Sequence, residues 1–317
     1  VDRLSGRRYK RRVVAFFSTL LQCISFLRRK LFAIGLRKQH RAARPVISIG
    51  NVSFGGTGKT PIVIALAKAL TARGLKVCIL SRGYRRKKSQ PTERVNVNGS
   101  ATQFGDEPLL IARATQVPVV VDAKRARAAA WASAQLQPDV FLLDDGFSHL
   151  QLARDLDLVM LAKDDMHLFA RRRELRATLR EADIVATLES HIDAPPPGLI
   201  HIRRALTGPA RLAIQGKRVI AMAAIAHPER FSELLRSEGA TVVRESFFHD
   251  HHPFPEGALD AALARVKQGE ADAVVITEKD AVKLATLPER VLVAATEVVL
   301  PDALIEQVFR ASSVRPI

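Results

Sequence analysis

The chain has 317 residues, 47% of them apolar, and a formal net charge of +17. That apolar content suits one large or two smaller α/β domains and excludes a wholly disordered chain. Its two cysteines, Cys23 and Cys78, lie far apart in apolar runs, which excludes a disulfide framework or a cysteine-based metal site and suits a reducing compartment.

The charge is uneven. Residues 1–44 carry thirteen Lys and Arg against one acid, Asp2, so most of the excess is N-terminal. Between two basic clusters lies VVAFFSTLLQCISFL, residues 13–27, too short for an ordinary membrane span. On a helix, Ser18, Gln22, Ser25 and Arg29 share one side. Val13, Phe17, Leu20, Ile24, Leu27, Leu31 and Ile34 share another. The pattern predicts an amphipathic helix at a lipid headgroup interface, with its flanking cations drawn to anionic lipid. The competing expectation is a helix whose apolar stripe packs on the protein's own core. A nucleic-acid arm would not need the stripe, so no nucleic-acid partner is expected. Nor is a signal peptide, since no small-residue cleavage site follows.

From residue 45 onward, strand and helix patterns alternate. Pro45 to Gly50 reads as a short apolar strand, and IVIALAKAL (62–70) has helical spacing. Between them stands SFGGTGKTP (53–61). The phosphate-loop pattern is G-x-x-x-x-G-K-[ST], and Ser53 takes the place of its first glycine. Phe54, Gly55, Gly56, Thr57, Gly58, Lys59 and Thr60 complete the loop. Its glycines let backbone N–H groups turn round an anion, and the following helix adds its positive end. Lys59 is placed to reach β- and γ-phosphates, Thr60 to meet Mg²⁺, and Pro61 suits the first helical turn.

Further strands are expected at 76–80, weakly at 93–98, and at 117–122, 138–147, 157–162 and 183–188. Helices are expected at 105–114 and 123–135. Such alternation predicts a parallel sheet with helices on both faces. The proline-rich DAPPPG (193–198) marks a boundary, after which a smaller α/β unit runs through 217–226, 228–239, 241–248, 256–268 and 271–280. The expected domains are therefore an N-terminal membrane-surface helix (1–43), a P-loop core (44–192) and a smaller C-terminal α/β domain (193–317).

Asp144 and Asp145 end a buried strand downstream of the phosphate loop, where an acid holds Mg²⁺ directly or through water. Asp106 and Glu107 leave two readings open. They cap and start a helix, or one acts as base toward an attacking hydroxyl while the other partners the metal. HDHHPF (249–254) lacks the cysteine or second histidine pair of a zinc site, and a histidine beside an acid tunes a base. In TEKD (277–280) the lysine stands third, not second, so no guanine-specific site is read there.

In combination, GNVSFGGTGKTP, SRGY, GDEP, DDGF-x-HL-x-LARD, DHH-x-F and TEKD resemble the tetraacyldisaccharide 4′-kinase family, the lipid A 4′-kinases of Gram-negative bacteria. The resemblance runs from the N-terminal helix to about residue 284. It implies transfer of the ATP γ-phosphate, with Mg²⁺, to the 4′-hydroxyl of a tetraacylated glucosamine disaccharide 1-phosphate. It places the enzyme, expected as a monomer, peripherally at the cytoplasmic face of the inner membrane. ATP falls to Ser53–Thr60, with Lys59 catalytic, and the general base to Asp106 paired with His251. Mg²⁺ falls to Thr60, Glu107, Asp144 and Asp145, and the substrate side to Tyr84, His149 and Arg173. Three stretches depart from the family's pattern: Ser148 replaces a glutamine, the loop before Arg173-Glu174 is shortened to MHLFARRREL (166–175), and Ala224 and Ala226 replace glycines. The rival reading is a membrane-attached P-loop ATPase of the switch or partition type, which hydrolyses ATP without a sugar-lipid acceptor.

Overall fold

The computed structural model describes residues 19, 21–53, 57–84, 86, 90–167, 172–189, 191–225, 228–249, 254–281, 284 and 286–313. They form two compact units. One holds the residues up to Arg203 together with those from Leu300; the other is Arg204–Val299.

The first unit opens with helix α1 (residues 21–33). Then follow β1 (Val46–Asn51), α2 (Lys59–Ala72), β2 (Val77–Ser81), β3 (Glu93–Arg94), α3 (Ala101–Phe104) and α4 (Asp106–Thr115). β4 (Val119–Val121), α5 (Arg125–Leu136), β5 (Val140–Asp144), β6 (Leu156–Leu161), β7 (Ile184–Thr187) and β8 (Ile200–His201) complete its sheet, in the order β3-β4-β2-β5-β1-β6-β7-β8. The strands run parallel except β3, which pairs antiparallel with β4.

Successive strand residues face opposite sides. Cys78, Leu80, Phe141 and Leu143 pack with Ala128, Ala129 and Ala132 of α5 on one face. The alternate residues Ile79 and Leu142 are equally buried, so the other face is covered as well. Burial on both sides is why these strands read as unbroken apolar runs rather than as alternation. Inserting β5 between β1 and β2 makes β1 and β5 neighbours, in register Ile49↔Asp144. The residues that leave their carboxyl ends therefore meet, which is where open α/β sheets hold ligands.

The second unit contains β9 (Arg203–Leu206), α6 (Gly208–Ile214), β10 (Arg218–Ala223), α7 (Pro228–Ser237), β11 (Thr241–Phe247), α8 (Ala258–Lys267), β12 (Ala273–Thr277), α9 (Glu278–Ala281), β13 (Val291–Ala294) and β14 (Thr296–Val299). Its parallel sheet has the order β11-β10-β12-β13, and β9 pairs with β14 in a separate ribbon. Asp280, fully buried, accepts from the Thr277 hydroxyl at 2.7 Å and from the Ala224 N–H at 3.1 Å. Ala224 is buried outside the left-handed region, so its methyl group fits without strain; Ala226 lies outside the described residues.

The unit division differs from the expected boundary at 193. β8 still pairs with β7 of the first sheet, so the prolines at 195–197 sit in a loop of that unit. The final helix α10 (Asp302–Ser313) packs on α2 and β1, which takes residues from 300 onward out of the expected C-terminal domain.

Gly50 shows how tightly β1 meets the turn after β5. A Cβ there would stand 2.3 Å from Phe147 Cβ and 2.7 Å from its backbone nitrogen. Phe147 is itself fully buried, so neither side can yield cheaply. Gly50→Ala is expected to destabilise the chain by about 1–3 kcal/mol; urea unfolding followed by circular dichroism measures this.

Candidate active site

β1 ends at Asn51, and Val52 and Ser53 lead into the phosphate loop, of which Phe54, Gly55 and Gly56 lie outside the described residues. The Ser53 hydroxyl donates to Asp165 Oδ2 at 3.2 Å, and Ser53 forms a β-bridge with Arg172. A serine in the first glycine's place is thus held through its side chain. Gly58 has φ +78°, a left-handed conformation that favours glycine, and it opens α2 without a side-chain cap. The first amides of α2 stay available to an anion. Thr57 Oγ1 is buried and has no hydrogen-bond partner among the described residues. Lys59 and Thr60 form the first turn of α2, and Lys59 Nζ stands 3.5 Å from Asp145 Oδ1.

The two neighbouring acids have opposite electrostatics. Asp144 is buried and accepts from Ser81 Oγ at 3.0 Å. Burial, then the nearby charges of Glu107 and Asp145, push its carboxyl up to about 6, with the Ser81 bond and Lys59 opposing them. Asp145 turns out of the strand with φ +56°. Arg173 grips it with both terminal nitrogens, Nη1 to Oδ2 at 3.1 Å, and donates from Nη2 to Asn51 Oδ1 at 2.6 Å. Burial alone would raise Asp145; the hydrogen bonds and charge of Arg173, with Lys59 and Arg125, outweigh it and bring Asp145 to about 2.

The crowded negative charge at Asp144, Asp145 and Glu107 fits a divalent cation. Among the described residues no three His, Cys, Asp or Glu close round one metal position. Mg²⁺ asks for no such cage: one or two carboxylates, a hydroxyl such as that of Thr60, water and substrate phosphates suffice.

Asp106 and Glu107 begin α4, and both are exposed. The N-cap position belongs to Gly105, at φ +93°, so Asp106 is not the cap. A Cβ on Gly105 would lie 3.1 Å from the Tyr84 carbonyl oxygen, which places the SRGY segment against the start of α4. Tyr84 is exposed. His149 is half-buried, with Nε2 unpartnered among the described residues. Burial, then the charges of Arg125, Arg154, Arg28 and Arg82, push it down to about 4. His251 lies outside the described residues. Arg173, expected on the substrate side, is here engaged with Asp145 and Asn51.

Sequence reasoning missed Ser81, Asn51, Asp165 and Arg125. Arg125 is buried at the start of α5 and donates to the Ala123 carbonyl at 3.1 Å. Burial, then Arg82, bring it down to about 10 against the pull of Asp145, Asp144 and Asp122. The only local signal was a basic helix start after a buried strand.

Helix α1 presents an inverted pattern. Its buried residues are Gln22, Ser25 and Arg29, while Ile24 and Leu27 are 54% and 61% exposed and Leu21, Phe26 and Ile34 are exposed too. Among the described residues the polar side expected from the sequence faces the protein and Ile24, Leu27 and Ile34 of the apolar side do not, so the core-packing expectation fails for these three; Val13, Phe17, Ser18 and Leu20 lie outside the described residues. Among the described residues no helix is long and apolar enough to cross a membrane.

A doubly covered parallel sheet, an uncapped helix opening on Gly-Lys-Thr and paired acids at the adjacent strand end define a P-loop phosphotransferase. The profile of the tetraacyldisaccharide-1-P 4′-kinase family (LpxK) matches residues 10–312, and the chain belongs to that family. It is 38% identical over 278 residues to a tetraacyldisaccharide 4′-kinase of Koribacter versatilis, covering 83% of this chain and 86% of the relative. It is 36% identical over 277 residues to the Haemophilus influenzae protein of the same name, covering 84% and 82%. The fold resembles a crystal structure of LpxK from Aquifex aeolicus in complex with ATP, with TM-score 0.71, 30% identity and coverage of 95% of this chain and 99% of that one.

The two acids should affect stability with opposite signs in EDTA. Asp144 has a folded pKa above its unfolded one, so its ionisation costs stability as pH rises from about 4 to about 6. Asp144→Asn should stabilise the protein at pH 7.5 by up to ~3 kcal/mol. Asp145 has a depressed folded pKa, so its contribution is present above about pH 4 and lost toward about pH 2. Its 37% side-chain exposure screens the pairing, so Asp145→Asn should destabilise by only ~1 kcal/mol. Denaturant unfolding of both variants at pH 7.5 measures the two signs.

Proposed function

We propose that this protein transfers the γ-phosphate of ATP to the 4′-hydroxyl of a tetraacylated glucosamine disaccharide 1-phosphate. The observation that carries the reading is the family match over residues 10–312, supported by a phosphate loop that opens an uncapped helix beside Asp144 and Asp145.

Each residue has a distinct task. The phosphate loop amides cradle the β- and γ-phosphates, and Lys59 neutralises charge that develops on the transferring group. Thr60, Asp144, Asp145 and Glu107 would hold or orient Mg²⁺. When bound there, Mg²⁺ would further neutralise the phosphate oxygens. Asp106, exposed at the start of α4, takes the proton of the attacking 4′-hydroxyl. Tyr84 and His149 belong to the acceptor side; burial keeps His149 neutral, and its Nε2 is buried without a partner among the described residues. The segment 44–192 carries this chemistry.

The acceptor's four acyl chains stay in a bilayer, so the enzyme must reach them there. The outward apolar face of α1, with Lys30 and Arg37 nearby, suits the headgroup region of the inner membrane's cytoplasmic leaflet.

Asp106→Asn should lower kcat by about 10²–10⁴-fold while ATP binding, read by a fluorescent analogue, is retained; unchanged turnover would remove Asp106 from the role of base. Replacing Ile24 and Leu27 together by Glu should weaken binding to phosphatidylglycerol-containing vesicles by roughly 100-fold or more, with ATP binding intact. Equal vesicle binding by both proteins would dismiss α1 as the membrane surface.

A further inference from the structure

Residues 172–174 lie along the exit of β1. Arg173 and Glu174 both donate their N–H groups to the Val52 carbonyl, at 2.8 and 3.1 Å, next to the bridge between Arg172 and Ser53. Arg173 and Glu174 lie in a bend, and their side chains reach different partners. Arg173 reaches Asp145 and Asn51. Glu174, 1% exposed, reaches α1.

Both oxygens of Glu174 are engaged. Oε2 accepts from Ser25 Oγ at 2.5 Å and from Arg29 Nε at 2.9 Å, and Oε1 accepts from Ser148 Oγ at 2.7 Å. Two further Arg29 donors go to Glu181 Oε2 at 2.6 Å and to the Phe147 carbonyl at 2.9 Å, and the guanidinium lies 4.4 Å from the Phe147 ring centroid. Phe147 follows Asp145 by two residues. The carboxylate that seats α1 is therefore one residue from the arginine that clamps Asp145, and its partner Arg29 touches the turn that carries Asp145 at Phe147. A buried ion pair adds little net stability over an apolar contact, yet it imposes strict geometry. Apolar side chains could have seated α1 on the core; the chain uses a hydrogen-bonded polar network instead.

We propose that Glu174 is a positioning residue that couples the seating of α1 to the placement of Asp145 at the nucleotide site. The inference rests on the reading of α1 as the membrane-facing element and of Asp145 as a nucleotide-site acid. Through Glu174, Arg173 and Phe147, the arrangement of α1 on a bilayer is transmitted to the phosphate-transferring end.

The test is amide hydrogen exchange of the full chain without Mg²⁺ or ATP, alone and with phosphatidylglycerol vesicles, in the wild type and in Glu174→Gln. The variant should exchange about tenfold faster over residues 145–149, with the amides of β2 and β4 unchanged. Vesicles should slow exchange over that segment in the wild type and not in the variant. The Mg²⁺ concentration for half-maximal phosphate transfer should rise about tenfold in the variant. Faster exchange confined to α1 and residues 172–174, with an unaltered Mg²⁺ requirement, would overturn the proposal and leave Glu174 a local fastening. Should Glu174→Gln not fold, Ser25→Ala and Ser148→Ala each remove one bond from the same carboxylate and must shift both readouts in the same direction. The exchange measurement needs no acceptor, so a wild type that shows the coupling but transfers no phosphate would contradict the functional reading alone.

Discussion

Parallel pairing of β1 with β5, with Ile49 opposite Asp144, sets the geometry on which the site depends. It brings the carboxyl end of an apolar strand beside the strand that feeds the phosphate loop, and it turns a sequence separation of almost a hundred residues into direct adjacency. The pairing also separates two consecutive acids. Asp144 remains the last strand residue, buried and raised toward neutrality. Asp145 steps into a left-handed turn and is taken up by Arg173 and Lys59. One carboxyl is therefore dry and easily neutralised, and the other is firmly ionised. Gly50 permits this turn to lie directly on β1, since a side chain there would occupy the space of Phe147.

The same turn supports helix α1. Ordinary surface helices bury their apolar stripe. Here Ser25 and Arg29 are buried against Glu174, and Ile24 and Leu27 are left outside. Exposed apolar area of this kind is unfavourable in water and becomes favourable against acyl chains. Ser148 acquires a role in the same place. The sequence pattern leads to an expectation of glutamine and a substrate contact there; the Ser148 hydroxyl bonds to Glu174 and so belongs to the seat of α1.

Much of this was legible in the sequence because it is local. Strands β1, β2, β5 and β6 are mostly apolar, and helix α2 follows a phosphate loop whose residue types have few other uses. Asp144 and Asp145 could be found from their place at the end of such a run. The two faces of α1 could be read from spacing, and the structure showed which of them turns inward. Contacts distant in sequence were not legible. Ser25 and Glu174 are separated by 149 residues and Ser53 and Asp165 by 112, and no local pattern announces either pair. Nor did the three prolines at 195–197 mark the unit boundary, because a strand can resume beyond a proline loop and rejoin the same sheet. Helix α10 returns to the first unit from the far end of the chain, a topological fact that composition does not carry.

The most direct measurement is transfer of phosphate from γ-labelled ATP to a tetraacyl disaccharide 1-phosphate in mixed micelles, with the product's phosphate positions assigned by ³¹P and ¹H NMR and Lys59→Ala as control. A labelled 4′-phosphate ester, absent with the variant, is the expected result. Release of inorganic phosphate without any labelled disaccharide would contradict the proposed acceptor and make the protein a P-loop ATPase with a different partner.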